Sequence, residues 1–311
     1  LGTVSALTLG GGGIGQVWGS TTREESVLTV LEAVESGIDF IDVAPGYGDG
    51  ESERVIGDAF GGTLPAGVRV STKCPLATTP VDQIPSTLRA SLRASLERMR
   101  LDRADLVILH NQIVSDEDAA RGLDGTSRSV FVETVRPAME ALVVDGLAAA
   151  WGITGIGIAG AVIETLRESP HPAAVQCIAN LLDSPGGMLA TADAPRPRDI
   201  AAAAAEAGVG VMGIRAVQAG ALTDGFDRDL PEDHPEARDF ARAAPFRTIA
   251  AELGVTAALL AHRYALTMPN VSTVVLGVKN RDELRECLEA ARQGRLDPEL
   301  VARIDAAVAL R

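Results

Sequence analysis

Eight short runs of strand-forming residues, each followed by a stretch of helical character, recur along this chain, and no linker or change of composition interrupts them. The candidate strands are 5–9, 39–43, 69–72, 106–109, 149–153, 174–178, 210–214 and 273–276. The candidate helices are 22–36, 52–60, 84–100, 130–145, 159–168, 197–207, 241–253, 257–266 and 282–292, with an amphipathic helix at 298–310 closing the chain. Helix 22–36 illustrates the pattern. Arg23, Glu24 and Glu25 occupy its first turns, Val27, Val30, Leu31 and Val34 recur at helical spacing, and Gly37 stops it. In 84–100, Leu88, Leu92 and Leu96 share one face. Strand and helix in strict alternation imply parallel strands joined by crossover helices. Eight such units over more than about 250 residues close a cylinder, so the expected fold is an α/β (β/α)8 TIM barrel spanning 1–311 as one domain. An open, doubly wound sheet is the structural rival.

In such a barrel the chemistry sits where the strands end, in the βα loops. Asp42 ends the second strand, Tyr47 lies in the loop after it, Lys73 ends the third strand and His110 the fourth. Four titratable side chains of four types thus fall at three successive strand ends. Each alone has a plain reading: a satisfied buried Asp or His, or a loop-anchoring Tyr. Together they suit the reduction of a carbonyl, which needs hydride at carbon and a proton at oxygen. A phenol can give the proton, although its free pKa is about 10. A neighbouring ammonium favours the phenolate, a role that suits Lys73, and Asp42 can hold that ammonium charged. A neutral His110 can donate to the oxygen as charge develops there.

Composition sharpens the choice. The chain has 311 residues and is 46% apolar, enough for a large core. Its net charge of −14 argues against nucleic acid and anionic membranes as partners. No apolar run is long enough to cross a bilayer, and no basic residue precedes the apolar start as in a secretory leader. Three cysteines, Cys74, Cys177 and Cys287, make no disulfide framework, so a reducing, cytoplasmic setting is expected. Four scattered histidines offer no metal-ligand spacing. Of 28 basic residues only Lys73 and Lys279 are lysines, and Tyr47 and Tyr264 are the only tyrosines. Lysines that survive such scarcity deserve inspection.

The segment Asp39-Phe40-Ile41-Asp42-Val43-Ala44-Pro45-Gly46-Tyr47-Gly48, followed by Gly50-Glu51-Ser52-Glu53 and Gly57, resembles the signature of the aldo-keto reductase family. Ser71-Thr72-Lys73 is similar to that family's third strand and Leu109-His110-Asn111 to its fourth. The resemblance implies a catalytic tetrad of Asp42, Tyr47, Lys73 and His110 and a nicotinamide cofactor. Weaker similarity runs on in order. It covers Gly146-Leu147 to Ile153, Val175-Gln176 to Leu182, Gly208 to Met212 with Gly220-Ala221-Leu222, and Gly277-Val278-Lys279 to Glu283 and Cys287. It implies cofactor contacts at Thr154, Gln176, Arg215, Gly277, Lys279 and Glu283, with the Gln176 amide on the nicotinamide carboxamide. The chain departs from the pattern at three places. Thr154-Gly155 replaces Ser-Asn, Ile214 or Arg215 replaces an aromatic that stacks on the nicotinamide, and Cys287 replaces an Asn that reads the adenine.

Lys279 follows the last strand beside a helix N-terminus, whose free N–H groups attract phosphate. The family places a base there on the 2′-phosphate, so NADP(H) is favoured over NAD(H), with Arg281 assisting. Gly10-x-Gly12-x-x-Gly15 fits a dinucleotide fingerprint, but no acidic residue ends a following strand at the usual distance. It is read instead as a barrel-mouth loop of flexible glycines, with Trp18 either lining the pocket or exposed. Loops 111–128 and 222–245 are the expected pocket walls. Six Phe, two Trp and two Tyr are too few for an aromatic groove, which leaves a small or sugar-like aldehyde or ketone as substrate. The rival functions are a sugar (aldose) dehydrogenase working in the oxidative direction, a non-catalytic nicotinamide-binding subunit, and a barrel lyase or hydrolase using carboxylates.

Overall fold

The computed structural model describes residues 2–188, 194–226 and 229–309. The expected helix end at Leu310, the expected domain limits at 1 and 311, and residues 227 and 228 of the expected pocket-wall loop lie outside them. Eight parallel strands close a barrel: β1 (Leu7–Gly10), β2 (Phe40–Asp42), β3 (Arg69–Cys74), β4 (Leu106–Leu109), β5 (Trp151–Thr154), β6 (Ala174–Ile178), β7 (Gly210–Ile214) and β8 (Thr273–Leu276). Each strand pairs with its neighbour in sequence, and β8 returns to β1 through Leu7↔Val274, Thr8↔Val275 and Leu9↔Leu276. The open-sheet rival is excluded. Strand β2 has three strands between it and β6 by either route around the ring, so the two are opposite walls.

The period-2 alternation of strands sorts the side chains. Phe40, Leu106, Ile108, Ala174 and Met212 form a small buried cluster of their own. They share parity along their strands with Asp42, His110 and Gln176, which lie two residues further toward the C-terminal ends. The opposite parity, including Ile41, Val70, Val107, Val175 and Val211, joins the large core under the helices. The same alternation that fills the barrel therefore delivers polar groups to its mouth.

The outer layer comprises α1 (Arg23–Glu35), α2 (Glu51–Phe60), α3 (Ile84–Met99), α4 (Arg136–Val144), α5 (Ala159–Arg167), α6 (Pro197–Glu206), α7 (Pro235–Arg242), α8 (Ala244–Glu252), α9 (Ala257–Thr267), α10 (Arg281–Gln293) and α11 (Pro298–Val308). Their starts follow ordinary capping chemistry: Thr22 accepts from the Glu25 N–H, Thr256 from Leu259 and Asn280 from Glu283. A π-helical stretch, Phe131–Val135, leads into α4. The expected single helix 241–253 is two helices, because Ala243 caps α7 while α8 restarts with Pro245 in its first turn. Loop 111–128 is not plain coil either. It contains a small parallel pair, Ile113–Val114 with Thr126–Ser127, and a helical turn, Asp116–Ala120.

The reading of Gly10 to Gly15 as flexible loop is corrected. Gly11–Ile14 is one buried helical turn. A Cβ on Gly13 would stand 1.9 Å from the Val278 carbonyl oxygen, and one on Gly11 would stand 2.9 Å from the Val43 Cα. These glycines allow three strand ends to pack closely; they are not a hinge. No single helix among the described residues is long and apolar enough to cross a membrane. The three cysteines are free and buried.

Candidate active site

Tyr47 is set by a rigid loop. Its N–H donates to the Ala44 carbonyl at 3.1 Å, Gly50 N–H to Pro45 at 2.7 Å, and Ser52 N–H back to the Tyr47 carbonyl at 3.2 Å. Gly48, Asp49 and Gly50 all adopt positive φ, and a Cβ on Gly48 would collide with the Gly15 carbonyl. Behind the loop, Glu53 is fully buried, accepting from the Thr72 hydroxyl at 2.6 Å and from Arg98 Nε at 2.6 Å. The start of α2 is thereby pinned to β3, beside Lys73.

Lys73 is wholly buried, and its ammonium donates to Asp42 Oδ2 at 2.8 Å, the Val43 carbonyl at 3.2 Å and the Tyr47 hydroxyl at 3.1 Å. All three of its N–H groups thus have a partner. The ammonium also lies 4.5 Å from the centre of the Tyr47 ring. Burial pushes its pKa down, but the attraction of Asp42 and then Tyr47 outweighs burial, and the net shift is upward. It stays charged although dry. The phenol proton itself has no acceptor among the described residues.

His110 stands edge-on to Tyr47, with ring centres 6.1 Å apart and planes at 88°. Burial lowers its pKa to about 4, helped by Lys73 and opposed by Asp42. At neutral pH it is therefore an uncharged imidazole. Its ring nitrogens make no hydrogen bond to a described residue, so one can face a ligand. Asp42, Tyr47, Lys73 and His110, expected from sequence to be neighbours, are brought together at the mouth of the β2–β3–β4 wall.

The residues expected around a cofactor are more varied. Thr154 is buried and donates to the Leu109 carbonyl at 2.9 Å. Gln176 donates its amide N–H to Asp42 Oδ2 at 2.8 Å, and its amide oxygen accepts nothing from a described residue. Arg215 is nearly buried and directs its guanidinium to Gln218 Oε1 at 2.8 Å and Glu236 Oε1 at 2.5 Å. Gly277 lies against the Trp18 indole, where a Cβ would meet the ring at 3.3 Å; Gly12 lies against the same ring. Trp18 is therefore a partly exposed cover over the meeting of β1 and β8. Lys279 Nζ is 3.4 Å from Glu283 Oε1, and Glu283 Oε2 accepts the Lys279 N–H at 2.8 Å. Arg281 pairs with Glu25. Cys287 turns inward, with its sulfur 3.5 Å from His262 Nε2.

Sequence reasoning missed two groups. Ser71 donates to Asp42 Oδ1 at 2.7 Å; the Ser71-Thr72-Lys73 motif contains it and it has the parity of Lys73, but neither gave it a role. Asn180, Ser184, Gln218 and Asp239 form a buried polar network under α7, built by contacts between residues distant in sequence, which no local pattern announces.

The barrel mouth suits a nicotinamide dinucleotide at two points. An acceptor oxygen on Gln176 lies on the wall opposite Asp42, a hydroxyl on Thr154 lies beside the end of β4, and a lysine stands at the N-terminus of α10 after the last strand. Among the described residues no three His, Cys, Asp or Glu come together as metal ligands.

Comparison with known proteins agrees with the closed barrel and gives the family. The model of the aldo/keto reductase family matches residues 6–309. L-galactose dehydrogenase of Arabidopsis thaliana is 25% identical over 295 residues, covering 93% of this chain and 85% of that protein. Among solved structures, the glycerol dehydrogenase of Gluconobacter oxydans superposes with a TM-score of 0.73 at 21% identity, covering 99% of this chain and 93% of that one. An aldo-keto reductase of Klebsiella pneumoniae in complex with NADPH superposes with a TM-score of 0.70 at 22% identity, covering 99% and 92%.

Proposed function

This chain belongs to the aldo/keto reductase family, and on that footing we propose that it reduces a small aldehyde or ketone with NADPH, using Tyr47 as proton donor. The observation that carries the reading is the 3.1 Å hydrogen bond from a buried, charged Lys73 to the Tyr47 hydroxyl, whose own proton is left for a ligand. When bound, the reduced nicotinamide supplies the hydride. The protein supplies the rest. Tyr47 gives its proton to the substrate oxygen, and Lys73 stabilises the charge left on the phenol. Neutral His110 donates an N–H to the same oxygen as it becomes negative. Asp42 keeps Lys73 charged and in place.

Thr154 and Gln176 would hold the carboxamide end of the cofactor, and Gly277, Lys279 and Glu283 its adenosine end. Lys279 supports NADP(H), because a 2′-phosphate would take over the ammonium now shared with Glu283. Arg215 is better read as a holder of the mouth than as a direct cofactor contact, given its ties to Gln218 and Glu236.

A second reading, an aldose dehydrogenase working in the oxidative direction, is favoured by the likeness to L-galactose dehydrogenase over nearly the whole chain. The same tetrad serves both, since a phenolate beside Lys73 can accept the carbinol proton. One assay separates them: NADPH depletion against a carbonyl panel beside NAD(P)+ reduction against an aldose panel, with Tyr47→Phe as control. Turnover equal in wild type and Tyr47→Phe would remove both readings.

A further inference from the structure

The carboxylate of Asp42 is held by more than its lysine. It is 2% exposed and receives three donors: the Ser71 hydroxyl on Oδ1 at 2.7 Å, and Lys73 Nζ and Gln176 Nε2, both on Oδ2 at 2.8 Å. Ser71 is the register partner of Asp42 on the adjacent strand. Gln176 comes from β6, the opposite wall, so its hydrogen bond spans the barrel beneath the mouth. Both neutral donors are themselves buried. Interior alternation would be satisfied by apolar side chains at 71 and 176, as it is at Ile108 and Met212. Burying a polar group without a partner is costly, so these two donors and the carboxylate depend on one another.

We infer that Ser71 and Gln176 are positioning residues for proton transfer, which act on Tyr47 by fixing and partly neutralising Asp42. The electrostatics give a sign. Asp42 and Tyr47 compete for the same ammonium. The two neutral donors spread the carboxylate charge, so that Lys73 is drawn less toward Oδ2 and more of its field reaches the phenol oxygen. Removing either donor concentrates negative charge beside Lys73 and makes the phenolate harder to form. Among the described residues, the charged and titratable groups around the phenol are Asp42 of β2, Lys73 of β3 and His110 of β4. His110 is neutral over the alkaline range, so it does not blur the sign. Gln176 then has two tasks on two atoms: its N–H serves Asp42, and its oxygen is left for a ligand.

This inference rests on the proposed role of Tyr47, yet it can be tested without turnover. The chain has only two tyrosines. The ultraviolet absorbance difference between any variant and its Tyr47→Phe counterpart therefore isolates one phenol, with no cofactor or substrate present. Alkaline titration of Gln176→Met and Ser71→Ala is expected to move the ionisation midpoint of Tyr47 upward by about half a pH unit or more, a roughly threefold change in the equilibrium. Ser71→Thr, which keeps the hydroxyl, is expected to restore the wild-type midpoint. A role confined to packing would lower the melting temperature and leave the midpoint where it was. An unmoved or lowered midpoint in the folded variants overturns the inference, and Ser71→Ala decides alone if Gln176→Met does not fold. Absence of turnover in wild type, with these shifts intact, would count against the proposed reaction only.

Discussion

Two buried cation–carboxylate pairs stand at strand ends of this barrel, and they have opposite uses. Lys73–Asp42 joins β3 to β2, with side chains 0% and 3% exposed; Arg215–Glu236 joins the end of β7 to α7, with side chains 7% and 9% exposed. Each satisfies a charge that could not be buried alone. Lys73, however, carries a third N–H to a phenol whose proton is not otherwise engaged. Arg215 instead holds a loop in which Arg215, Gln218 and Ala219 all adopt positive φ, conformations that non-glycine residues avoid. Gln218 is fixed in turn by Asp239 at 2.6 Å and Ser184 at 3.1 Å. A compact ammonium with rotatable donors can share its charge with a reactive neighbour, whereas a planar guanidinium is suited to tying together fixed side-chain oxygens, here those of Gln218 and Glu236. Burial of a charge therefore does not by itself mark catalysis; the partner left over does.

That contrast can be broken by mutation. The largest effect is expected at the phenol that Lys73 contacts. Tyr47→Phe should lower kcat/KM by about 10²–10⁴-fold in a steady-state assay while the melting temperature stays near wild type. Next comes the clamp. Arg215→Met takes the guanidinium away from Gln218 and Glu236 and should cost about 1–3 kcal/mol of stability in urea titration, with kcat reduced far less than by Tyr47→Phe. If Arg215→Met instead removed activity from a protein of unchanged stability, the division of labour between the pairs would be wrong. A smaller effect is expected at the adenosine end. Lys279→Ala should raise KM for NADPH about tenfold, corresponding to ~1.4 kcal/mol, and leave KM for NADH unchanged. Equal KM changes for both cofactors would remove Lys279 from phosphate recognition.

The smallest effect is one of pH. The pKa of His110 is lowered to about 4 from 6.5 by burial, so the folded protein binds its proton less readily than the unfolded chain. Stability from this group is present above 6.5 and is lost as pH falls toward 4. The rate profile should accordingly show no inflection from His110 between roughly pH 5 and 8. An inflection near 6.5 that disappears in His110→Gln would mean that the ring is charged in the working enzyme.

The barrel and the Lys73–Asp42 pair were legible in the sequence because strand–helix alternation places the strand ends, and the motif around residues 39–57 carries a family resemblance. Once β2, β3 and β4 are placed, Asp42, Lys73 and His110 must share the interior parity and the same end. The clamp was not legible, because Arg215, Gln218, Glu236 and Asp239 meet only after α7 folds back, and α7 has an unusual start. His234 is its cap, with Nδ1 accepting the Glu236 N–H at 3.3 Å, and histidine is no ordinary cap signal. Gly11 and Gly13 misled for the complementary reason. Glycine in sequence announces freedom or close approach equally, and only the neighbours decide which. Cys287 stands where a purine contact was expected, but its side chain faces His262, which places the departure in the helix layer.

The helical turn Gly11–Ile14 also sets the molecule's tolerance to change. A single methyl group on residue 13 would press on the backbone just after β8, and one on residue 15 on the backbone carrying the phenol. The seam where the cylinder closes and the hinge-free platform of the proton donor therefore share one steric constraint. Random substitution should find few survivors at residues 13 and 15, although neither carries a side chain that could take part in the reaction.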